Sequence, residues 1–159
     1  MTTKKQLIFA THNPNKTREI QEKLPEHYQL NSLEEIEFHE EIAEDQTTLQ
    51  GNAMKKAKTV FQATGYPCFA DDTGLEVDAL NGEPGVYSAR YAGNNAKDED
   101  NVALLLKNMK GQENRQARFK TVIALMLENE EAYLFEGITE GFILEERRGD
   151  EGFGYDPVF

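Results

Sequence analysis

The sequence predicts an α/β fold with helices packed on a mixed sheet, and three observations carry that prediction. Apolar residues recur at helical spacing over 49–61 and 102–109, each stretch bounded by cap and stop residues. Short apolar runs that read as buried strands precede them, giving the alternating order of α/β proteins. A later run from Phe119 to Leu127 is apolar on both faces, as in the middle of a covered sheet.

Taken in order, Leu7-Ile-Phe-Ala10 reads as a buried strand that Thr11-His-Asn-Pro-Asn15 breaks. A helix follows, capped by Asn13 with Pro14 at its first position, or by Asn15; Ile20 and Leu24 form its thin apolar stripe and Pro25 stops it. Tyr28 to Leu33 is a second strand. Residues 34–45 are rich in acids, among them Glu40, Glu41, Glu44 and Asp45, most of which read as solvated. Thr47 or Thr48 caps the clearest helix, with Leu49, Ala53, Ala57, Val60 and Phe61 on one face and Gly65 at its end.

Phe69-Ala-Asp-Asp-Thr-Gly-Leu-Glu-Val-Asp78 sets Asp71 and Asp72 where a short buried strand stops and a glycine-containing turn begins. Leu75, Val77 and Ala79 then alternate with Glu76, Asp78 and Leu80 as a half-exposed strand entering the Asn81-Gly82 turn, and Pro84-Gly85 extends the loop. Asp98 or Asp100 caps a third helix carrying Val102, Leu105, Leu106 and Met109, with Gly111 beyond its end. Tyr133–Phe135 and Gly141–Leu144 read as two short strands that complete an antiparallel set. No internal repeat, low-complexity linker or second domain is visible.

At 159 residues the chain fits one domain, so one site is expected. A net charge of -12 argues against nucleic-acid backbones and anionic membranes as partners. A small triphosphate stays compatible, because a few lysines and a divalent ion can reverse the sign of one pocket. The single cysteine, Cys68, lies in a buried-looking run and reads as packing; a reduced, cytoplasmic setting is expected. No segment approaches the roughly 20 apolar residues of a membrane span, and no signal-peptide run follows the start, so a soluble protein is expected.

Several constellations could carry chemistry. The 11–16 segment joins a strand to a helix start, where backbone N–H groups and the helix dipole favour an anion and Lys16 adds charge; it lacks the glycines of a Walker A loop. Lys55, Lys56 and Lys58 cluster on the second helix, and Lys56 shares with Asn52 a face expected to point away from the apolar stripe. Adjacent Asp71 and Asp72 repel, and with Glu44 or Asp45 they could hold a magnesium ion, which takes one or two carboxylates beside phosphates. In Gly152-Phe-Gly-Tyr-Asp-Pro-Val-Phe159, Phe153 and Tyr155 offer faces for a planar base. A competing reading takes Asp72-Thr73-Gly74 as an aspartic-protease tripeptide, which two convincing amphipathic helices argue against.

Phe9 to Lys16, Gly51-Asn-Ala53 to Lys56, Phe69 to Leu75, Pro84-Gly-Val-Tyr-Ser-Ala-Arg-Tyr91 and Gly152 to Phe159, in this order and over nearly the whole chain, resemble the inosine triphosphate pyrophosphatases, the non-canonical purine NTP pyrophosphatases. That resemblance implies an elongated mixed α/β fold with two lobes around a central cleft, and a homodimer. It implies magnesium-dependent hydrolysis of ITP, dITP and XTP to the monophosphate and pyrophosphate. By position, Thr11, His12, Asn13, Pro14, Asn15 and Lys16 would hold the triphosphate, with charge added by Lys56. Asp72 matches the family's general base and a metal ligand, Thr73 a substrate contact, and Glu44 the second metal carboxylate with Asp71 close by; Asp45 or Glu41 could take the place of Glu44. Phe153, Gly154, Tyr155 and Asp156 would enclose the base, with Phe153 stacking on it. The family's pattern continues past this motif through a lysine and a Ser-His-Arg segment, so the chain is expected to lack part of the base-reading wall. A nucleotide-binding module without turnover is the alternative this suggests. The septum-associated nucleotide pyrophosphatases share the fold and reaction type, but the Gly-Phe-Gly-Tyr-Asp-Pro ending argues against them.

Overall fold

Apolar residues at the strand positions and capped helices between them set the element order of the computed structural model, which describes residues 3–149 and 152–159. Strand β1 (Lys5–Phe9) leads into helix α1 (Pro14–Lys23), then β2 (Tyr28–Asn31), α2 (Leu49–Thr64), β3 (Cys68–Val77), β4 (Pro84–Gly85), α3 (Asp98–Met109), β5 (Gln116–Met126) and β6 (Ala132–Phe142). The sheet order is β2-β1-β3-β5-β6, with β4 beside β3. β1 runs parallel to β2 and β3, with Ile8 opposite Cys68 and Phe9 opposite Phe69; β4 is antiparallel to β3. The turn from β5 to β6 is too short for a crossover, which makes those neighbours antiparallel and the sheet mixed, as expected.

The chain forms two compact units, Met1–Asp72 with Val122–Phe135, and Thr73–Thr121 with Glu136–Phe159. In the first, Phe9, Leu30 and Phe69 are buried together, and the Phe9 and Phe69 rings stack at 4.5 Å between centroids. Leu49, Ala53, Ala57 and Val60 bury the expected face of α2. Cys68 is buried, its thiol donating to the Ala57 carbonyl at 3.1 Å; burial pushes its pKa up to about 12, which leaves it an inert packing residue. In the second unit Leu75, Val77, Val102, Leu105, Met109, Ile143, Tyr155 and Val158 form the core.

Local capping follows the expectations where the signal is short-range. Asn13 caps α1 and Thr48 caps α2, which ends at Gly65. At α3 neither aspartate is the cap: Lys97 takes that position, Asp98 opens the helix, and the Asp100 carboxylate accepts the Lys97 N–H at 2.9 Å. Two other expectations are corrected. Asp71 to Gly74 do not begin a turn but continue β3, because Cys68–Ala70 on one side and Leu75 and Val77 on the other are both buried and hold the intervening residues extended. The segments expected as two short strands at 133–135 and 141–144 fall mostly on one almost wholly exposed strand, β6, which takes in 133–135 and 141–142, while Ile143 and Leu144 lie beyond its end and Ile143 is buried in the core. Among the described residues no helix is long and apolar enough to cross a membrane.

Candidate active site

In the first unit the strand-to-helix loop after β1 is built by its own side chains. Thr11 Oγ1 accepts the Asn13 N–H at 3.1 Å, and Asn13 Oδ1 accepts those of Asn15 at 3.0 Å and Lys16 at 3.4 Å, while Pro14 occupies the first helical position. Asn15 Oδ1 accepts from Arg18 at 3.2 Å. His12 lies 3.0 Å by Nδ1 from a Glu34 carboxylate oxygen and 3.4 Å by Nε2 from the Glu40 carbonyl, which ties the loop to the acidic segment. Lys16 reaches across to β3, its ammonium 3.1 Å from Asp71 Oδ2.

Helix α2 supplies the facing wall. Lys56, its side chain only 14% exposed, donates to Glu44 Oε1 at 2.8 Å and to the Asp71 carbonyl at 2.5 Å. One helical turn earlier, buried Asn52 donates by Nδ2 to Asp72 Oδ2 at 3.2 Å. The Asn52/Lys56 face therefore points toward the acids of β3, contrary to the expectation that it turns away from the buried stripe. Neighbouring Lys55 instead pairs on the rim with Asp45, at 2.7 Å; beside that ammonium the Asp45 carboxyl sits below its ordinary range. This favours Glu44 over Asp45 as the inward acid. Lys58 is exposed on the same helix.

Burial is the main force on Asp72. It raises the carboxyl to about 6, with the negative charge of Glu44 adding to the rise and Lys56 and the Asn52 amide opposing it. A carboxyl so placed can take a proton near neutral pH, as a general base must. The same clustering of acids is what a divalent cation would relieve, so the donor chemistry fits magnesium. Glu44, Asp71 and Asp72 do not, however, form a cage: among the described residues no group of three His, Cys, Asp or Glu side chains converges on a metal position. Lys56 and Lys16 hold Glu44 and Asp71, while Asn52 holds Asp72. Magnesium beside a triphosphate takes most of its oxygens from water and phosphate, so one or two of these carboxylates suffice.

In the second unit Thr73 Oγ1 shares a hydrogen bond with Thr121 Oγ1 at 2.8 Å. The 152–159 segment is a tight loop: Asp156 Oδ2 accepts the Phe153 N–H at 3.0 Å and crowds the place a side chain would take at Gly152, whose φ is +88°. Only glycine fits there. Gly154 donates its N–H to Asp98 Oδ2 at 2.9 Å. Tyr155, expected to offer a face to the base, lies in the core with its hydroxyl donating to the Ser88 carbonyl at 2.7 Å. Ser88 in turn donates to the Gly85 carbonyl and accepts the Leu75 N–H, so the Pro84–Tyr91 motif anchors the loop. Phe153 alone among these aromatics is free to meet a ligand, 73% exposed.

The sequence reading missed the part that Asn52 plays; its spacing from Lys56 was the available signal. It also missed Gln46, whose N–H bonds to Asn52 Oδ1 at 2.9 Å, and nothing local marks that residue. The aspartic-protease reading is set aside, since Asp72-Thr73-Gly74 lies within β3 and Asp72 is paired with an asparagine beside lysines.

Residues 7–159 match the Ham1 family. The chain is 57% identical over 153 residues to the dITP/XTP pyrophosphatase of Christiangramia forsetii, covering 96% of this chain and 80% of that protein. It is 48% identical over 162 residues to the dITP/XTP pyrophosphatase of Bacillus subtilis, covering 100% of this chain and 82% of that one. The solved structure of the Staphylococcus aureus Ham1 protein superposes with a TM-score of 0.90 at 37% identity, over 98% of this chain and 80% of that one. Motifs, fold and these similarities agree, and the chain belongs to the Ham1 family.

Proposed function

We propose that this protein hydrolyses non-canonical purine nucleoside triphosphates, ITP, dITP and XTP, to the monophosphate and pyrophosphate, clearing deaminated purines from the nucleotide pool. Relatives named dITP/XTP pyrophosphatase at 57% and 48% identity support the reaction and its substrates. The observation that carries the site is the meeting of Lys16 and Lys56 at the Asp71–Asp72 pair. Cations from two helices there turn a locally acidic surface into a seat for a phosphate chain.

Asp72 orients a water and accepts its proton as the water oxygen bonds to the α-phosphorus. The α–β phosphoanhydride bond breaks and pyrophosphate leaves with the bonding electrons. Lys16 and Lys56 stabilise charge building on the phosphate oxygens, in a setting where half-buried ammonium groups act more strongly than in open water. Magnesium, held by Asp72 with Glu44 or Asp71, would supply further positive charge to those oxygens. Thr11, fixed by the Asn13 turn, and Thr73 are the hydroxyls we assign to substrate. The exposed Phe153 ring is our assignment for stacking on the base, with Asp156 and Gly154 holding its loop. We further propose a homodimer in a reducing, cytoplasmic setting, where the buried Cys68 thiol stays free.

Pyrophosphate release measured over ITP, XTP, dITP, ATP, GTP and dTTP, with magnesium and with EDTA, tests the reading. We expect turnover of the first three only, abolished by EDTA. Preference for canonical nucleotides would overturn the substrate assignment, and binding without release would favour a module that holds nucleotide but does not cleave it.

A further inference from the structure

Asn52 is a costly residue where it stands. A buried amide loses its water and must be bonded at both ends to repay the loss, and asparagine is a poor helix former. It is 1% exposed, yet no polar atom of it is stranded: Oδ1 accepts the Gln46 N–H at 2.9 Å and Nδ2 donates to Asp72 Oδ2 at 3.2 Å. The first bond decides the second. A backbone N–H can face only the amide oxygen, so the NH₂ group is forced toward the carboxylate and cannot exchange ends.

The approach that makes this possible is built in next door. A side chain at Gly51 would bring its first carbon within 2.8 Å of Gln46 Cβ and 3.0 Å of Thr48 Oγ1, so glycine lets residue 46 close on the helix. One turn on, Lys56 makes a parallel bridge from Glu44 to the Asp71 carbonyl. Two successive rungs from α2 thus tie the 44–46 segment to two successive residues of β3.

We propose that Asn52 is a positioning residue for Asp72: held by the Gln46 backbone, it fixes the rotation of the carboxylate by one oxygen and leaves the other for the attacking water. The proposal rests on the reading of Asp72 as general base. A misplacement of about 1 Å can cost roughly a hundredfold in rate, so loss of the bond is expected to lower kcat about 10- to 100-fold without weakening substrate binding.

The test compares wild type with Asn52→Leu, which keeps the shape and loses the donor, and Asn52→Asp, which keeps the acceptor for Gln46 and loses the donor toward Asp72. Steady-state pyrophosphate release from dITP should show kcat reduced about 10- to 100-fold in both with KM within about threefold. A lowered unfolding temperature with unchanged kcat would overturn the proposal, as it would mark a packing role only. Denaturant unfolding of wild type, Asn52→Leu, Asp72→Ala and the double variant gives a second readout that needs no turnover. Coupling of at least about threefold in the unfolding constant is expected, and additive effects would overturn the pairing. If wild type itself released no pyrophosphate from any nucleotide, the functional reading would fail while this cycle still decided the pairing. Should Asn52→Leu not fold, Gly51→Ala, which displaces residue 46 and frees the amide to turn, takes its place in both measurements with the same expectations.

Discussion

Around α2 polar side chains bond to carboxylates as well as to backbone, whereas in the 152–159 segment the bonds described run between a side chain and backbone. Lys56 with Glu44, Lys16 with Asp71 and Asn52 with Asp72 place charge and amide groups against carboxylates. In the other region Asp156 holds the Phe153 N–H, Asp98 holds that of Gly154, and Tyr155 spends its hydroxyl on Ser88. The first pattern concentrates ionisable groups whose charges perturb one another, which is how reactive sites are made. The second satisfies a loop's backbone and leaves one ring exposed, which is how a contact surface is made. Residues of similar type thus separate into chemistry and scaffolding according to what they bond.

Removing the base should have the largest effect. Asp72→Asn is expected to lose about 10²- to 10⁴-fold in kcat while still binding nucleotide, because an amide can keep the Asn52 contact but cannot take the proton. Near wild-type turnover in that variant would break the distinction at its root.

Within the 152–159 segment the contrast should appear as two different losses. Phe153→Ala is expected to raise KM for dITP by about tenfold with kcat little changed, the loss of a stacked base being worth about 1–3 kcal/mol. Tyr155→Phe, by deleting a hydroxyl that serves the Ser88 carbonyl, is expected to lower stability by about 1–3 kcal/mol in denaturant unfolding, with KM unchanged. The reverse pattern would return Tyr155 to the role the sequence suggested.

The smallest effect is one of pH on the metal-free protein. Asp72 is raised from 3.8 to about 6 in the folded state, so between those values the folded chain keeps a proton that the unfolded chain gives up. Its contribution to stability therefore falls as pH rises through that window, and the deficit is complete above about pH 6. Asp72→Asn lacks it, so the variant should gain on wild type between pH 4 and 6. Water still reaches part of the group, which discounts the gain at pH 7 to on the order of 1 kcal/mol. Parallel pH-stability curves in EDTA would show that burial does not load this carboxyl.

What could be read from the residues followed the range of the forces involved. Asn13 and Thr48 announce helix starts because a cap acts within three residues, and Lys16 and Lys56 stand out by their places, one at a helix start and one in a lysine cluster of an acidic chain. Asp98 looks like a cap for the same local reason, yet its carboxylate serves Gly154, a partner that only folding brings near. Asp-Asp-Thr-Gly has the composition of a turn, and neighbours packed on both sides keep it in a strand. Asn52 sits at the edge of the α2 apolar stripe, where periodicity alone does not say whether a polar residue faces water or a buried acid. Tyr155 is undecided for a similar reason, since an aromatic beside glycines suits a core as well as a ligand.

The central claim is that Lys16 and Lys56, gathered at the Asp71–Asp72 pair, form the seat of the triphosphate. Calorimetric titration of dITP into Asp72→Asn, which should bind without turnover, and into the same variant carrying Lys16→Ala and Lys56→Ala tests it most directly. Each lost charge-assisted contact is worth about 1.5–3 kcal/mol, so the account predicts affinity weakened at least about a hundredfold by the two lysine substitutions. Equal affinity in the two proteins would contradict it.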